Sequence, residues 1–318
     1  MTTLRRPRSR LRSMLFWVCR CRCTLTAMSS VNGKVVFITG AARGVGADVA
    51  RRLRRRGATL VLTDIDAEPL AGLAAELGAD HVLTAVADVR DLAAMQEVAK
   101  QAVERFGGID VVVANAGIAT YGSVLQVDPE AFKRLLDINV LGAFHTVRAA
   151  LPSIIERRGY VLIVSSFAAY AASPGLAPYH AAKAGVEHFA NALRLEVAHQ
   201  GVDVGSAHMS WIDTPMVQDA KKDLAAFREM LARVPKPLGN TTSVDKCGEA
   251  FVKGIEQRKR RINVPGWVGA FRWLKPLLST PLGEKPIAAL VPHILPKMDA
   301  EVAALGRSTS SRLEELET

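Results

Sequence analysis

Tyr179-His180-Ala181-Ala182-Lys183 is the arrangement in this chain most able to do chemistry. On a helix, residues four apart stand one above the other. An ammonium beside a phenol favours the phenolate, so a group that ordinarily titrates near ~10 is expected to move towards working pH. It could then exchange a proton with an alcohol or a ketone. Alone the spacing means little, because such pairs are common on helix surfaces; the rest of the chain has to decide it.

Upstream, Lys34-Val35-Val36-Phe37-Ile38 reads as a buried strand and runs into Thr39-Gly40-Ala41-Ala42-Arg43-Gly44-Val45-Gly46. A helical pattern follows, with Val49, Ala50 and Leu53 inside and Arg51, Arg52, Arg54, Arg55 and Arg56 outside. Strand, glycine turn and helix form the context of a dinucleotide-binding motif. Gly40 would permit the tight turn, Gly44 the approach of backbone to pyrophosphate, and Gly46 the packing of helix on sheet. The helix N-terminus would then face the anion. A glycine turn without a ligand is the plainer alternative. A second strand, 59–63, ends at Asp64, where this fold sets an acid against the adenosine ribose hydroxyls and against any 2′-phosphate.

Further apolar runs at 82–86, 111–114, 160–164 and 202–208 alternate with helical patterns at 67–77, 91–106, 129–151 and 179–199. Alternation of this kind predicts an α/β fold, a Rossmann-like, doubly wound parallel sheet covered on both faces. The 318 residues, 49% of them apolar, suit one domain with N- and C-terminal extensions better than two equal domains. The expected boundaries are a leader at 1–30, a catalytic domain at 31–264 and an apolar extension at 265–318.

Over residues 32–264 the chain resembles the classical short-chain dehydrogenase/reductase family. The resemblance rests on several motifs in register: Thr39-Gly40-xxx-Gly44-x-Gly46 with Val45 inside it, Asp88 followed by Val89, Asn115-Ala116-Gly117, Asn139, Ser166 thirteen residues before Tyr179, and Lys183. It implies NAD or NADP as cofactor, with Asp88 at the adenine amino group and Asn115, Ala116 and Gly117 steadying the central sheet beside the nucleotide. It implies Tyr179 as general acid/base and Ser166 as the holder of the substrate oxygen. Lys183 would act on both Tyr179 and the nicotinamide ribose, and Asn139 would support Lys183 through a water. Ser165 is the competing serine, and the thirteen-residue interval selects Ser166.

The chain also departs from the family. Where members carry Pro-Gly before a threonine that meets the nicotinamide carboxamide, this chain has Met209-Ser210-Trp211-Ile212-Asp213-Thr214, keeping Ile212 and Thr214 only. Arg43 stands where NADP-preferring members often carry a base, whereas Asp64 marks the unphosphorylated cofactor. Asp64 outweighs it and NAD is expected, with Arg43 turned to solvent or pyrophosphate.

Residues 1–27 hold seven arginines and no acid, so the formal charge of +10 falls to +3 from Met28 onward. The basic pI therefore does not argue for nucleic acid. Cys19, Cys21 and Cys23 lack the partners that would complete a metal site, and no metal is expected. Met28 is read as an alternative start. Cys247 is the lone cysteine of the catalytic part, which fits a reducing cytoplasm. Residues 215–240 correspond to the family's substrate loop, with an apolar stripe that favours a small lipophilic alcohol or ketone. In the extension, Trp267, Phe271, Trp273 and Leu274 lie among Arg258 to Arg261, Arg272, Lys275 and Lys285. Tryptophans beside bases suit a lid, a contact in a homodimer or homotetramer, or peripheral contact with a membrane. Residues 308–318 read as a frayed terminus. Two classes of function remain: an NAD-dependent oxidoreductase, or a non-catalytic nucleotide-binding scaffold on the same fold. Retention of Ser166, Tyr179 and Lys183 favours the enzyme.

Overall fold

A computed structural model describes residues 30–312. The basic leader, with its three cysteines, lies outside the described residues, as does 313–318. Seven strands form a single sheet: β1 (Val35–Thr39), β2 (Thr59–Asp64), β3 (Val82–Val86), β4 (Val111–Ala114), β5 (Tyr160–Val164), β6 (Asp203–Met209) and β7 (Arg261–Val264). Their order is β3-β2-β1-β4-β5-β6-β7, and every pairing is parallel. The order reverses between β1 and β4, where such sheets open a crevice at the strands' C-terminal ends.

Both faces of the sheet are buried, which is why its strands read as unbroken β-branched runs. Along β1, Val36 and Ile38 join a core beneath α1 (Gly44–Arg55), α2 (Ala67–Leu77) and a helix at Val244–Glu256. Val35 and Phe37 join the opposite core beneath α3 (Leu92–Phe106), α5 (Gly142–Glu156) and α6 (Ala177–Val197), with Ile138 from the turn between α4 (Pro129–Leu136) and α5. Asp91 caps α3, accepting from the N–H groups of Ala93 and Ala94 at 2.8 and 3.1 Å. The helix expected at 129–151 runs on to Glu156 and contains a π-helical turn, Asp137–Leu141, that seats Asn139. Among the described residues this 28-residue stretch is the one long and apolar enough to cross a membrane. Here its apolar side, including Leu135, Ile138, Val147 and Ile154, is buried.

The substrate-loop segment forms α7 (Pro215–Asp223) and α8 (Ala225–Arg233); the helix at Val244–Glu256 is α9. The extension forms α10 (Val268–Leu278), α11 (Pro281–Ala288) and α12 (Val291–Leu305). Ile294, Met298 and Val302 of α12 share a buried cluster with Val217, Phe227, Met230 and Leu231 of α7 and α8. No side chain of its own caps α8; the carboxylate of Glu301 on α12 accepts from Ala226 N–H instead, at 3.0 and 3.2 Å. Arg307 pairs with Asp223 at 2.8 Å and Lys297 with Glu229 at 2.7 Å. Residues 308 and 309 correct the expectation of a frayed terminus, since Ser308 and Thr309 are buried and Tyr121 N–H donates to Ser308 O at 2.8 Å. On α10, Phe271 packs edge-on against Phe167 with ring centroids 5.0 Å apart, whereas Trp273 faces outward, 76% exposed.

Phe227 is fully buried between Tyr121 and Trp211, with centroids 5.9 and 5.2 Å away. Phe227→Ala should cost about 3–5 kcal/mol in a denaturant titration, as large-to-small core changes do. Glu301→Ala should cost roughly 1 kcal/mol, the worth of a lost helix cap. If the extension lay loosely on the domain, the second value would fall within about 0.5 kcal/mol of zero.

Candidate active site

The turn after β1 explains its glycines by contact distances. A Cβ on Gly46 would lie 2.3 Å from Gly40 O and 2.8 Å from the Asn115 side-chain amide, so α1 can approach the sheet only through glycine. Gly40 and Gly44 take φ of +64° and +55°, open to glycine at no steric cost. Asn115 Nδ2 donates to Thr39 O at 3.0 Å and to Gly40 O at 2.9 Å, tying the end of β1 to the end of β4. No side chain caps the start of α1, and Gly44 and Val45 of its first turn line the crevice.

Acids line the end of the crevice beside this turn. Asp64 accepts through Oδ2 from Ala42 N–H at 2.9 Å and through Oδ1 from Asp66 N–H at 3.1 Å. Burial raises the pKa of Asp64, and these backbone donors oppose the rise. Asp88 holds Arg90 from Nε at 2.8 Å. Arg43, expected to turn to solvent or pyrophosphate, is 45% exposed and pairs with an acid: its Nε and Nη2 both donate to Asp66 Oδ2, at 2.9 and 2.5 Å.

At the other end lie the candidate proton carriers. Ser166 follows β5, and its Oγ accepts from Ala168 N–H at 3.1 Å. Ser165 differs, because its hydroxyl is fully buried and donates to Lys183 O at 2.8 Å. Tyr179 and Lys183 do share one side of α6, with Nζ 5.6 Å from the centre of the tyrosine ring. The expected electrostatics differ. Lys183 Nζ donates to Val164 O at 3.1 Å, and burial pushes its pKa down to about 8. Burial likewise raises the phenol of Tyr179, opposed by a hydrogen bond with Ser166. Desolvation outweighs the mutual attraction that the four-residue spacing alone implied. Asn139 holds a backbone segment with its side chain: Nδ2 donates to Ile118 O at 2.9 Å and Oδ1 accepts from Ile118 N–H at 2.8 Å. Its side chain fixes the segment after Gly117, where an added Cβ would lie 3.0 Å from Asn139 Oδ1 and 3.4 Å from Lys183 Nζ.

A cavity of about 800 Å³ joins the two ends. Gly40, Arg43, Gly44, Val45, Asp64, Asp88, Val89, Asn115, Ala116, Gly117, Ser166, Tyr179, Lys183, Ile212 and Thr214 all line it; Gly46 and Asn139 stand one layer behind. The loss of Pro-Gly leaves Ile212 and Thr214 in place, since no positive φ falls on 209–214 and Ser210 N–H donates to Val264 O at 2.8 Å. Beyond Tyr179 the walls become apolar, with Trp211, Met216, Val217, Met230 and Leu231 facing Phe271, Leu278, Ile287 and Ile294 of the extension.

Two histidines that motif reading passed over hold this wall. Ser173 N–H lies 3.0 Å from His180 Nε2 and can only donate, so Nδ1 carries the proton and donates to Ala168 O at 2.8 Å. His208, fully buried, lies 3.3 Å from Ser166 O and stacks on Tyr170 with centroids 4.4 Å apart. Burial pushes its pKa down to about 3, so it is neutral. His180 had no sequence signal beyond its place next to Tyr179, and His208, 42 residues from Ser166, had none.

The sequence profile of the short chain dehydrogenases matches residues 34–225. An NAD-dependent oxidoreductase of Mycobacterium tuberculosis is 35% identical over 207 residues, covering 59% of this chain and 75% of that protein. The oxidoreductase UcpA of Escherichia coli is 37% identical over 195 residues, 60% of this chain and 74% of its own. Among solved structures, the 3-ketoacyl-(acyl-carrier-protein) reductase of Brucella melitensis complexed with NADH superimposes with a TM-score of 0.66 at 29% identity, over 74% of this chain and 98% of that one. A short chain dehydrogenase of Mycobacterium paratuberculosis bound to NAD gives 0.65 at 28% identity, over 74% and 97%.

Lys183 has a lower pKa folded, about 8, than its ordinary 10.5, so folding disfavours its proton. That cost is full below about pH 8, and stability should rise as pH increases from about 8 towards 10.5. Lys183→Met removes the buried charge and should stabilise the fold by up to about 3 kcal/mol at pH 7, less whatever is lost at Val164 O. Thermal melts at pH 7 and pH 10 check both signs: the difference between wild type and variant should shrink at the higher pH.

Proposed function

This chain belongs to the short-chain dehydrogenase family and is an NAD-dependent oxidoreductase acting on CH–OH groups; on that premise we propose that its substrate is a lipophilic secondary alcohol or the matching ketone. The observation that carries the proposal is the single cavity running from the glycine turn, past Ser166, Tyr179 and Lys183, into a chamber walled by α7, α8 and the extension.

The residues present fit NAD. The uncapped start of α1 would receive the pyrophosphate, Asp64 the adenosine ribose, and Ile212 and Thr214 the nicotinamide end. When bound, the nicotinamide gives or takes the hydride. The protein's part is proton transfer and position. Tyr179 Oη gives its proton to the carbonyl oxygen during reduction and takes one from the alcohol during oxidation. Ser166 Oγ holds that same oxygen and stabilises the charge it gains. Lys183, low in pKa through burial, supplies the charge that a phenolate at Tyr179 requires and passes the proton on. Asn139 keeps Ile118, and with it Gly117, beside the lysine. His180 and His208, both neutral, hold the Ser166 and Ser173 backbone without competing for the proton. The helices of the extension exclude water, which strengthens each of these interactions.

Tyr179→Phe keeps the ring and loses the proton carrier. Turnover should fall by on the order of 10²–10⁴-fold, with NADH binding by fluorescence unchanged. Within a series of secondary alcohols, kcat/KM should climb with chain length, each buried methylene contributing about 0.8 kcal/mol. A flat or falling series would exclude the lipophilic substrate while leaving the oxidoreductase reading intact.

A further inference from the structure

Around the adenosine end of the cavity, both guanidinium groups are already held by carboxylates: Arg90 by Asp88 and Arg43 by Asp66. Asp64 adds a third carboxylate, fixed by backbone donors. Asp66 is unusual within this group. It is the N-cap of α2, a position at which an aspartate ordinarily accepts from the first helical amides. Here its side chain caps nothing. The same Oδ2 instead takes both Nε and Nη2 of Arg43, an ion pair whose acid side chain is 12% exposed and whose arginine is 45% exposed. The local cost of an uncapped helix start is accepted in favour of holding Arg43.

Arg43 is the base that a 2′-phosphate would require, because it immediately precedes Gly44 and shares the cavity wall with Asp64. A guanidinium already bound by a carboxylate has little left to offer a phosphate. We propose that Asp66 is a second determinant of cofactor choice, a positioning residue that holds Arg43 away from the 2′-phosphate and so reinforces the discrimination begun by Asp64. The inference rests on the assignment of this cavity to the dinucleotide. It lowers the effect expected of Asp64 alone: removing that acid leaves Arg43 bound to Asp66, and NADP gains little.

The test is fluorescence titration of NADH and NADPH into the full chain, with thermal melts to establish folding, and it needs no substrate. Asp66→Asn keeps the side chain's size and its capacity to cap α2 while removing the charge. Relative to Asp64→Ala, the Asp64→Ala/Asp66→Asn variant should bind NADPH at least about tenfold more tightly, the worth of one charge-assisted contact. NADH should change far less, so the ratio of the two dissociation constants carries the result. Adding Arg43→Ala to the pair should abolish the gain, since the effect passes through the guanidinium. Two results would overturn the inference: no tightening of NADPH in the double variant, or a gain that survives in the Arg43→Ala background, which would make Asp66 a direct repulsive charge only. Failure of wild type to bind either nucleotide would instead reject the assignment of the cavity itself.

Discussion

The side-chain amide of Asn115 donates to the carbonyl oxygens of both Thr39 and Gly40, and the chain closes around that pair of bonds. Thr39 is the last residue of β1 and Gly40 the first of the turn that follows it. Asn115, the residue just after β4, supplies a donor to both, and this couples the lip of the crevice on one side to the lip on the other. Gly46 then determines how near α1 can come, since any Cβ there would collide with Gly40 O. The nucleotide turn, the direction of the α1 N-terminus and the spacing between Asp64 and Gly117 all depend on this contact. Loss of any one partner would displace the others.

At the opposite end of the cavity the controlling quantity is desolvation. Burial lowers Lys183, raises Tyr179 and keeps His208 neutral. The same lack of water that destabilises the buried ammonium gives it a reason to favour a nearby anion. A site of this kind works against the stability of the fold that houses it, and the deficit is offset by the two large cores on either face of the sheet.

Packing of the extension extends this dry region. Its cluster with α7 and α8 involves few residues from the sheet itself, so the roof of the cavity is a small core of its own, joined to the domain by Tyr121, Leu176 and Trp211. Glu301 capping α8 and Arg307 pairing with Asp223 make the last helix part of the loop it covers.

The sequence by itself determined a parallel sheet covered on both faces, and motifs shared with the family singled out Gly40, Asp64, Asn115, Ser166, Tyr179 and Lys183 as candidates. These are local or repeated signals: β-branched runs buried on both faces, glycines at fixed intervals, and a helical spacing of four. Tertiary structure decided what no interval encodes. Asp66 lies twenty-three residues from Arg43, and only the pairing of β2 beside β1 brings them together. His180 looked like a spacer between Tyr179 and Lys183 until Ala168 and Ser173 folded back on it. Asn139 was legible as a residue of the site but not as the clamp on Ile118, because the π turn that aims it has no periodic signature. The pKa direction of Tyr179 ran against the simple reading for the same reason: adjacency along a helix is set by sequence, whereas the amount of water left around a charge is set by everything packed over it.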